Sequence, residues 1–269
     1  MPYAAVNGLN MYYEAHGEGR PLLLLHGGAN SIPEKWIPLF TPHFHVVAPE
    51  QMGHGRTADL VDRPFHYHDM AEDTVELMQQ LEIESAAVVG YSDGGIIALD
   101  IAIHHPERVS RLAVTGANAR FDGYTDENKK WVHTFDQESE PVSEKYATLS
   151  PDGAEHWPVF MGRMKPMWAA EPSYTDAELA VISAPTLLII GDRDIVRPSM
   201  QSRCCGRYRM HSSAWSRTPA TESCPPRPYL RSSRKAPTRN VWGVVETTTM
   251  ELGGLEPPTS WVRSRRSPN

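Results

Sequence analysis

In Val88-Val89-Gly90-Tyr91-Ser92-Asp93-Gly94-Gly95-Ile96-Ile97-Ala98, a short apolar run passes through G-x-S-x-G straight into a second apolar run. The chemistry open to such a stretch is nucleophilic. A serine hydroxyl attacks at neutral pH only when it stands clear of its own backbone, beside a base and beside amides that can hold a developing oxyanion. A sharp strand-to-helix turn gives that exposure and holds the serine at positive φ. Neighbouring side chains must then nearly vanish where strand and helix meet, and Gly90 and Gly94 stand at those places. Ser92 is the candidate nucleophile of a nucleophile elbow. A Gly-rich turn with an idle serine is the bland alternative, and the flanking strand and helix patterns argue against it.

The elements that must position Ser92 are legible on both sides. Asn7-Gly8 between Ala4-Ala5-Val6 and Leu9-Asn10-Met11-Tyr12-Tyr13 predicts an opening hairpin. Pro21-Leu22-Leu23-Leu24-Leu25 is a continuous apolar run, as a strand buried on both faces requires, and it ends in His26-Gly27-Gly28. Phe44 to Ala48 reads as the next strand, closed by Pro49, with a tight loop at Gly53-His54-Gly55-Arg56. Met70, Val75, Met78 and Leu81 recur at helical spacing between Tyr67 and Leu81, with Asp69 suited to the helix N-terminus. Ala86 to Val89 enters the elbow, whose helix fades near His104-His105-Pro106; those two histidines read as complements to a helix C-terminus. Leu112-Ala113-Val114 and Pro185 to Ile190 are two further strands.

Strands alternating with helices predict an α/β fold: a doubly wound, mostly parallel sheet whose ligands sit at the carboxyl ends of the strands. Between Asn118 and Ala184 the strand signal stops and Trp131, Trp157, Phe160 and Trp168 punctuate a polar, helical stretch, expected to form a helical cap insertion. Met161, Met164, Met167 and Trp168 share one helical face there, read first as glue for the cap rather than as a wall facing substrate. The expected organisation is 1–117 for the first part of the core, 118–184 for the cap, 185–198 for an acid-bearing strand and loop, and 199–269 for an aberrant tail.

Composition marks that last boundary. The 269 residues carry a formal net charge of -7, but residues 199–269 hold twelve Lys and Arg against four acidic residues, a net +8, leaving -15 on the rest. Cys204, Cys205 and Cys224 all fall in the tail without metal-ligand spacing. No apolar run approaches the roughly 18 residues of a membrane span, and Met1-Pro2-Tyr3-Ala4 has no signal-peptide pattern, so a cytoplasmic protein is expected. The arginines of the tail lack an amphipathic pattern or interleaved aromatics, which argues against nucleic-acid binding. Oligomeric state is not legible.

With these residues assembled, residues 1–198 resemble the α/β-hydrolase superfamily, close to the cap-bearing esterases, enol-lactone hydrolases and cofactor-free haloperoxidases. The resemblance implies a serine hydrolase acting on a small ester, lactone or related acyl substrate through an acyl-enzyme, with no cofactor and no metal. It implies that the backbone N–H groups of Gly28 and Asp93 form the oxyanion hole, each lowering the barrier by typically ~3 kcal/mol. It places the acid of a catalytic triad in Gly191-Asp192-Arg193-Asp194-Ile195-Val196-Arg197-Pro198, at Asp194, with Asp192 as a loop-capping carboxylate. It assigns His26 and His54 to shaping the rim of the site. Rivals are cofactor-free perhydrolysis or haloperoxidation on the same fold, and a non-catalytic protein that binds a small molecule.

The chain departs from the family at the triad base. Family spacing puts a histidine near position 221, where this chain has Thr221; the only histidine after Asp194 is His211, too near the acid to leave room for an intervening helix and strand. The genetic code offers an account. Arg197-Pro198-Ser199-Met200-Gln201 can be written CGG CCG AGC ATG CAG, and one added C in the proline codon turns it into R-P-E-H-A. The same shift, anchored by the unique codons of Met210 and Trp215, reads residues 211–225 as A-Q-L-R-V-V-P-D-T-G-H-G-V-L-P, with histidine on position 221. The tail from about Ser199 is thus expected to be a frameshifted hydrolase C-terminus, the final strand and helix lost and activity impaired. Gly254-Leu255-Glu256-Pro257-Pro258, which can be the translated complement of a tRNA T-arm, fits a reading frame running past its gene.

Overall fold

In the computed structural model, residues 2–191 and 194–197 are described, together with the strand backbone at 209–212. Asn7 and Gly8 turn the chain at φ of 47° and 83°, the doubly positive pair that a two-residue hairpin turn demands. Strands β1 (Tyr3–Val6) and β2 (Leu9–His16) run antiparallel from that turn, Val6 opposite Leu9. β2 then pairs antiparallel with β4 (Phe44–Pro49), and from there the sheet is parallel: β4, β3 (Arg20–Leu25), β5 (Ala86–Tyr91), β6 (Val109–Thr115) and β7 (Thr186–Ile190). The order across the sheet is β1-β2-β4-β3-β5-β6-β7-β8, with β8 at Arg209–Ser212.

The Leu22–Leu25 run shows why the central strands read as unbroken apolar sequence. Successive side chains of a strand face opposite sides, so Leu23 and Leu25 enter one core layer while Leu22 and Leu24 enter the other. The larger layer packs α2 (Tyr67–Gln80) and α3 (Asp93–His104), burying Met70, Val75 and Met78 as their spacing predicts. The smaller layer closes under the short helix α1 (Ile37–Phe40), whose Ile37 is buried. Leu81, taken above as the end of the second helix, is the residue that caps it.

β8 corrects one expectation. A final strand was expected to be lost, yet Arg209–Ser212 pairs in parallel with β7, from Leu187 opposite Arg209 to Ile190 opposite Ser212. Arg209-Met210-His211-Ser212 has no strand-like alternation to announce it. An open edge needs only backbone donors and acceptors from its partner, and four residues without proline supply them. The last helix of the expected fold, Asp192 and the rest of the tail lie outside the described residues.

Between β6 and β7 the chain is helical: α4 (Asp126–Thr134), α5 (Glu144–Leu149), α6 (Trp157–Ala170) and α7 (Asp176–Ala180). Thr125 caps α4 by accepting the Asn128 N–H, and Thr175 with Glu178 forms a reciprocal capping box on α7. α6 buries Trp157, Phe160, Met161, Met164, Met167 and Trp168. Arg163 of α6 reaches back to the loop after β4, pairing with the buried Asp59 and donating to the Leu60 carbonyl at 2.9 Å. Asp59 also takes His156 Nε2 at 2.8 Å.

Candidate active site

Ser92 lies where β5 becomes α3, at φ 52° and ψ −122°, a conformation costing on the order of 1–3 kcal/mol for a residue with a Cβ. Surrounding structure holds it there. Its N–H donates to the Thr115 carbonyl at the end of β6 (2.9 Å), and its carbonyl accepts from Gly95 (2.8 Å) and Ile96 (3.1 Å). A Cβ on Gly90 would fall 2.2 Å from the Gly94 carbonyl oxygen; one on Gly94 would fall 2.4 Å from that of His26. These obstacles are backbone atoms, which cannot rotate away, so both glycines are required by close approach. The Ser92 side chain is half-buried, at the positive end of a twelve-residue helix.

The loop after β3 closes against this turn. A Cβ on Gly27 would lie 3.2 Å from Ser92 Cβ, and one on Gly28 only 2.2 Å from Asp93 Oδ2. Among the described residues neither the Gly28 nor the Asp93 N–H has a hydrogen-bond acceptor. The Asp93 side chain, by contrast, is engaged. It is buried, accepts the indole N–H of Trp168 at 2.8 Å, and is faced by the Tyr67 hydroxyl without hydrogen-bonding geometry. Burial pushes its carboxyl up to about 6, only partly opposed by Trp168 and Tyr67. Trp168 is in turn backed by Trp131 (centroids 5.8 Å) and Phe135 (6.2 Å).

Asp194 lies on the loop after β7, beside the end of β6. Its Oδ2 would lie 3.6 Å from a Cβ on Gly116, the residue after Thr115. Oδ1 accepts the Val196 N–H at 3.1 Å and Oδ2 the Gly191 N–H at 3.4 Å, so its own loop fixes the carboxylate. Burial raises its pKa, while the N–H groups of Val196, Gly191 and Ile195 pull it down. The geometry thus gathers Ser92, Gly28, Asp93, Gly90, Gly94 and Asp194 at the carboxyl ends of β3, β5, β6 and β7.

Comparison with known proteins bears on the fold that holds these residues. The profile described as alpha/beta hydrolase fold matches residues 20–148. Serine hydrolase BPHL of Mus musculus is 30% identical over 212 residues, covering 72% of this chain and 70% of that protein. The chain belongs to the α/β-hydrolase family. RutD of Azorhizobium caulinodans, which carries the name of a carbamate hydrolase, is 33% identical over 126 residues; the chain spans 47% of its length. Among solved structures, the meta-cleavage product hydrolase CumD of Pseudomonas fluorescens IP01 superposes with a TM-score of 0.60 at 25% identity, over 78% of this chain and 88% of that one.

In this α/β-hydrolase the hydrogen bonds of His26 and His54 hold both rings in the neutral form. His26 Nε2 accepts the Gln51 N–H at 3.0 Å and His54 Nε2 accepts the Ala29 N–H at 3.1 Å. A backbone N–H only donates, so each ring carries its proton on Nδ1, bonded to the carbonyls of Gly27 and Met52, both at 2.8 Å. Burial drives His26 down to about 4 and His54 to about 3. Neither has a free lone pair for a serine proton. His211 lies within β8, opposite Ile189, rather than on a loop at the strand ends. Sequence reasoning missed the Trp168–Asp93 contact: its partners stand 75 residues apart, and only an indole among the aromatics between β6 and β7 hinted at it.

Proposed function

We propose that this chain is built for acyl transfer through Ser92, hydrolysing a small ester, lactone or related acyl compound by way of an acyl-enzyme. The observation that carries the reading is the serine at φ 52° heading a helix between two glycines that no side chain can replace. Ser92 Oγ attacks the acyl carbon and loses its proton to a base; the Gly28 and Asp93 N–H groups receive the charge on the carbonyl oxygen. Collapse expels the protonated alcohol or ring oxygen, and water repeats the sequence on the ester of Ser92. Helices α4–α7 serve as the cap, with Trp168, Trp131 and Phe135 as an apolar roof.

Asp194 is the group that orients the base, and that base is the histidine absent from position 221. Removing one triad member costs on the order of 10⁴–10⁶ in rate in related systems. The reading therefore includes an impaired enzyme whose acyl-Ser92 outlives that of an intact triad. Incubation with an activated acetate ester, followed by peptide mass spectrometry, tests the assignment. The acetyl group is expected on the Ser92 peptide and to be absent from Ser92→Ala. Labelling that survives that substitution undiminished overturns it. The missing base also supports a second reading, a binding protein without turnover, which requires stoichiometric ligand uptake and no Ser92 adduct.

A further inference from the structure

Asp100 is out of place by composition: it sits in the apolar run Ile96-Ile97-Ala98-Leu99-Asp100-Ile101-Ala102-Ile103 of α3, and its side chain is 3% exposed. A carboxylate taken out of water needs partners. Among the described residues its ion-pair partners are two imidazoles and no Lys or Arg. His68 Nδ1, from the first turn of α2, lies 2.9 Å from Asp100 Oδ1; His104 Nδ1, one turn further along α3, lies 3.0 Å from the same oxygen. The rings meet edge to face at 4.6 Å, both open to solvent. Asp100 Oδ2 is held from behind by the buried Tyr174 hydroxyl at 2.8 Å.

We infer that His68, Asp100 and His104 form a site for one zinc-class divalent metal ion, distinct from the Ser92 centre. The three potential ligand atoms all lie within 4.8 Å of one another. Two imidazoles and one carboxylate are a donor set suited to zinc, cobalt or nickel rather than magnesium or calcium, which prefer oxygen alone. Tetrahedral bonds of about 2.0–2.1 Å put ligand atoms roughly 3.3 Å apart. The two nitrogen-to-oxygen separations need to open by only a few tenths of an ångström. Both imidazoles are exposed enough to swing, His68 Nε2 facing Glu72 at 4.0 Å and His104 Nδ1 giving up its 3.1 Å contact with the Asp100 carbonyl. Water would take the fourth position. The Tyr174 hydrogen bond fixes the carboxylate as outer partners of metal ligands do.

Function follows from what the site would join. His68 belongs to α2, Asp100 and His104 to α3, and Tyr174 to the segment leading into α7, so an ion would staple the two core helices while the tyrosine ties in the segment before α7. Asp100 lies seven residues along α3 from Asp93, roughly 10 Å down the axis, so the ion would brace the elbow helix and touch no reacting atom. An ion bound by the native state alone stabilises it by mass action.

Equilibrium titration of the full chain, stripped with chelator, against zinc and cobalt ions tests this. One ion per chain is expected, with the absorption bands of tetrahedral cobalt and a raised melting temperature. His68→Gln and His104→Gln, at exposed positions that leave the fold intact, are each expected to weaken binding at least tenfold. His105→Gln, beside the site but pairing with Glu72, is expected to leave it unchanged. Tyr174→Phe is expected to weaken it by about 10–100-fold at unchanged stoichiometry. Absence of saturable binding, or equal binding by the His68→Gln/His104→Gln double variant, overturns the proposal and leaves two imidazoles hydrogen-bonded to a buried carboxylate.

Discussion

Asp93 and the histidine pair His26 and His54 titrate in opposite senses, and their effects on stability separate by pH. Both histidines are held below the 6.5 of a free imidazole, at about 4 and about 3. Between those values and 6.5 the unfolded chain binds protons that the native chain refuses, so their contribution to stability falls as pH drops through that window, by roughly 3 kcal/mol for His26 and about 5 kcal/mol for His54 at the acid end. Urea midpoints measured from about pH 7 to about pH 4.5 are expected to decline steadily; a flat profile contradicts the buried, neutral assignment. Asp93 is lifted from 3.8 to about 6, so the native chain binds the extra proton and the ionised form burdens the fold above that pH. Asp93→Asn, which keeps an oxygen for Trp168, is expected to stabilise the protein by up to roughly 3 kcal/mol near pH 8, with the gain fading below about pH 4. An equal gain at both pH values contradicts the buried carboxylate as its source.

At the scale of elements, the junction of β5 with α3 is the least forgiving place in the molecule. Gly94→Ala is expected to cost several kcal/mol, beyond the ~1–3 of ordinary overpacking, because the added carbon meets the carbonyls of His26 and Leu25 at 2.4 and 2.5 Å. Calorimetry of Gly94→Ala against Gly8→Ala, where no heavy atom lies within 4 Å of the added carbon, separates overlap from the strain that any side chain suffers at positive φ. Comparable losses contradict the close approach. These elements were legible in the sequence because their physics is local: an apolar run for β3, helical spacing for α2, Asn7-Gly8 for the hairpin. β8 was not, since edge pairing asks nothing of side chains. The roof over Asp93 was not either, because Trp168 reaches it through tertiary packing alone. Phe160 of the same helix α6, with none of its surface exposed, packs against His54, Phe65, Tyr146 and Trp157. Phe160→Ala is expected to cost about 3–5 kcal/mol, read as a lowered denaturation midpoint; a loss under about 1 kcal/mol contradicts its place in the core.

For the whole molecule, the break in composition near residue 199 matters more than any single contact. The first 198 residues carry -15 and the last 71 carry +8, and beyond the short β8 the latter lie outside the described residues. Asp194 could be placed from its glycine and proline context because that context precedes the break. No such context marks a base, and position 221, where family spacing would put a histidine, is threonine. We propose that the tail is an out-of-frame reading, and that an uninterrupted frame completes the triad whose serine and acid stand at the ends of β5 and β7. One measurement weighs this most directly: ester hydrolysis by the chain as it stands, by a chain with one C inserted in the codon of Pro198, and by that restored chain carrying Ser92→Ala. Restoration is expected to raise the rate by about 10⁴-fold or more, and Ser92→Ala to abolish the gain. Equal rates before and after restoration, or a gain that survives loss of Ser92, contradict the account.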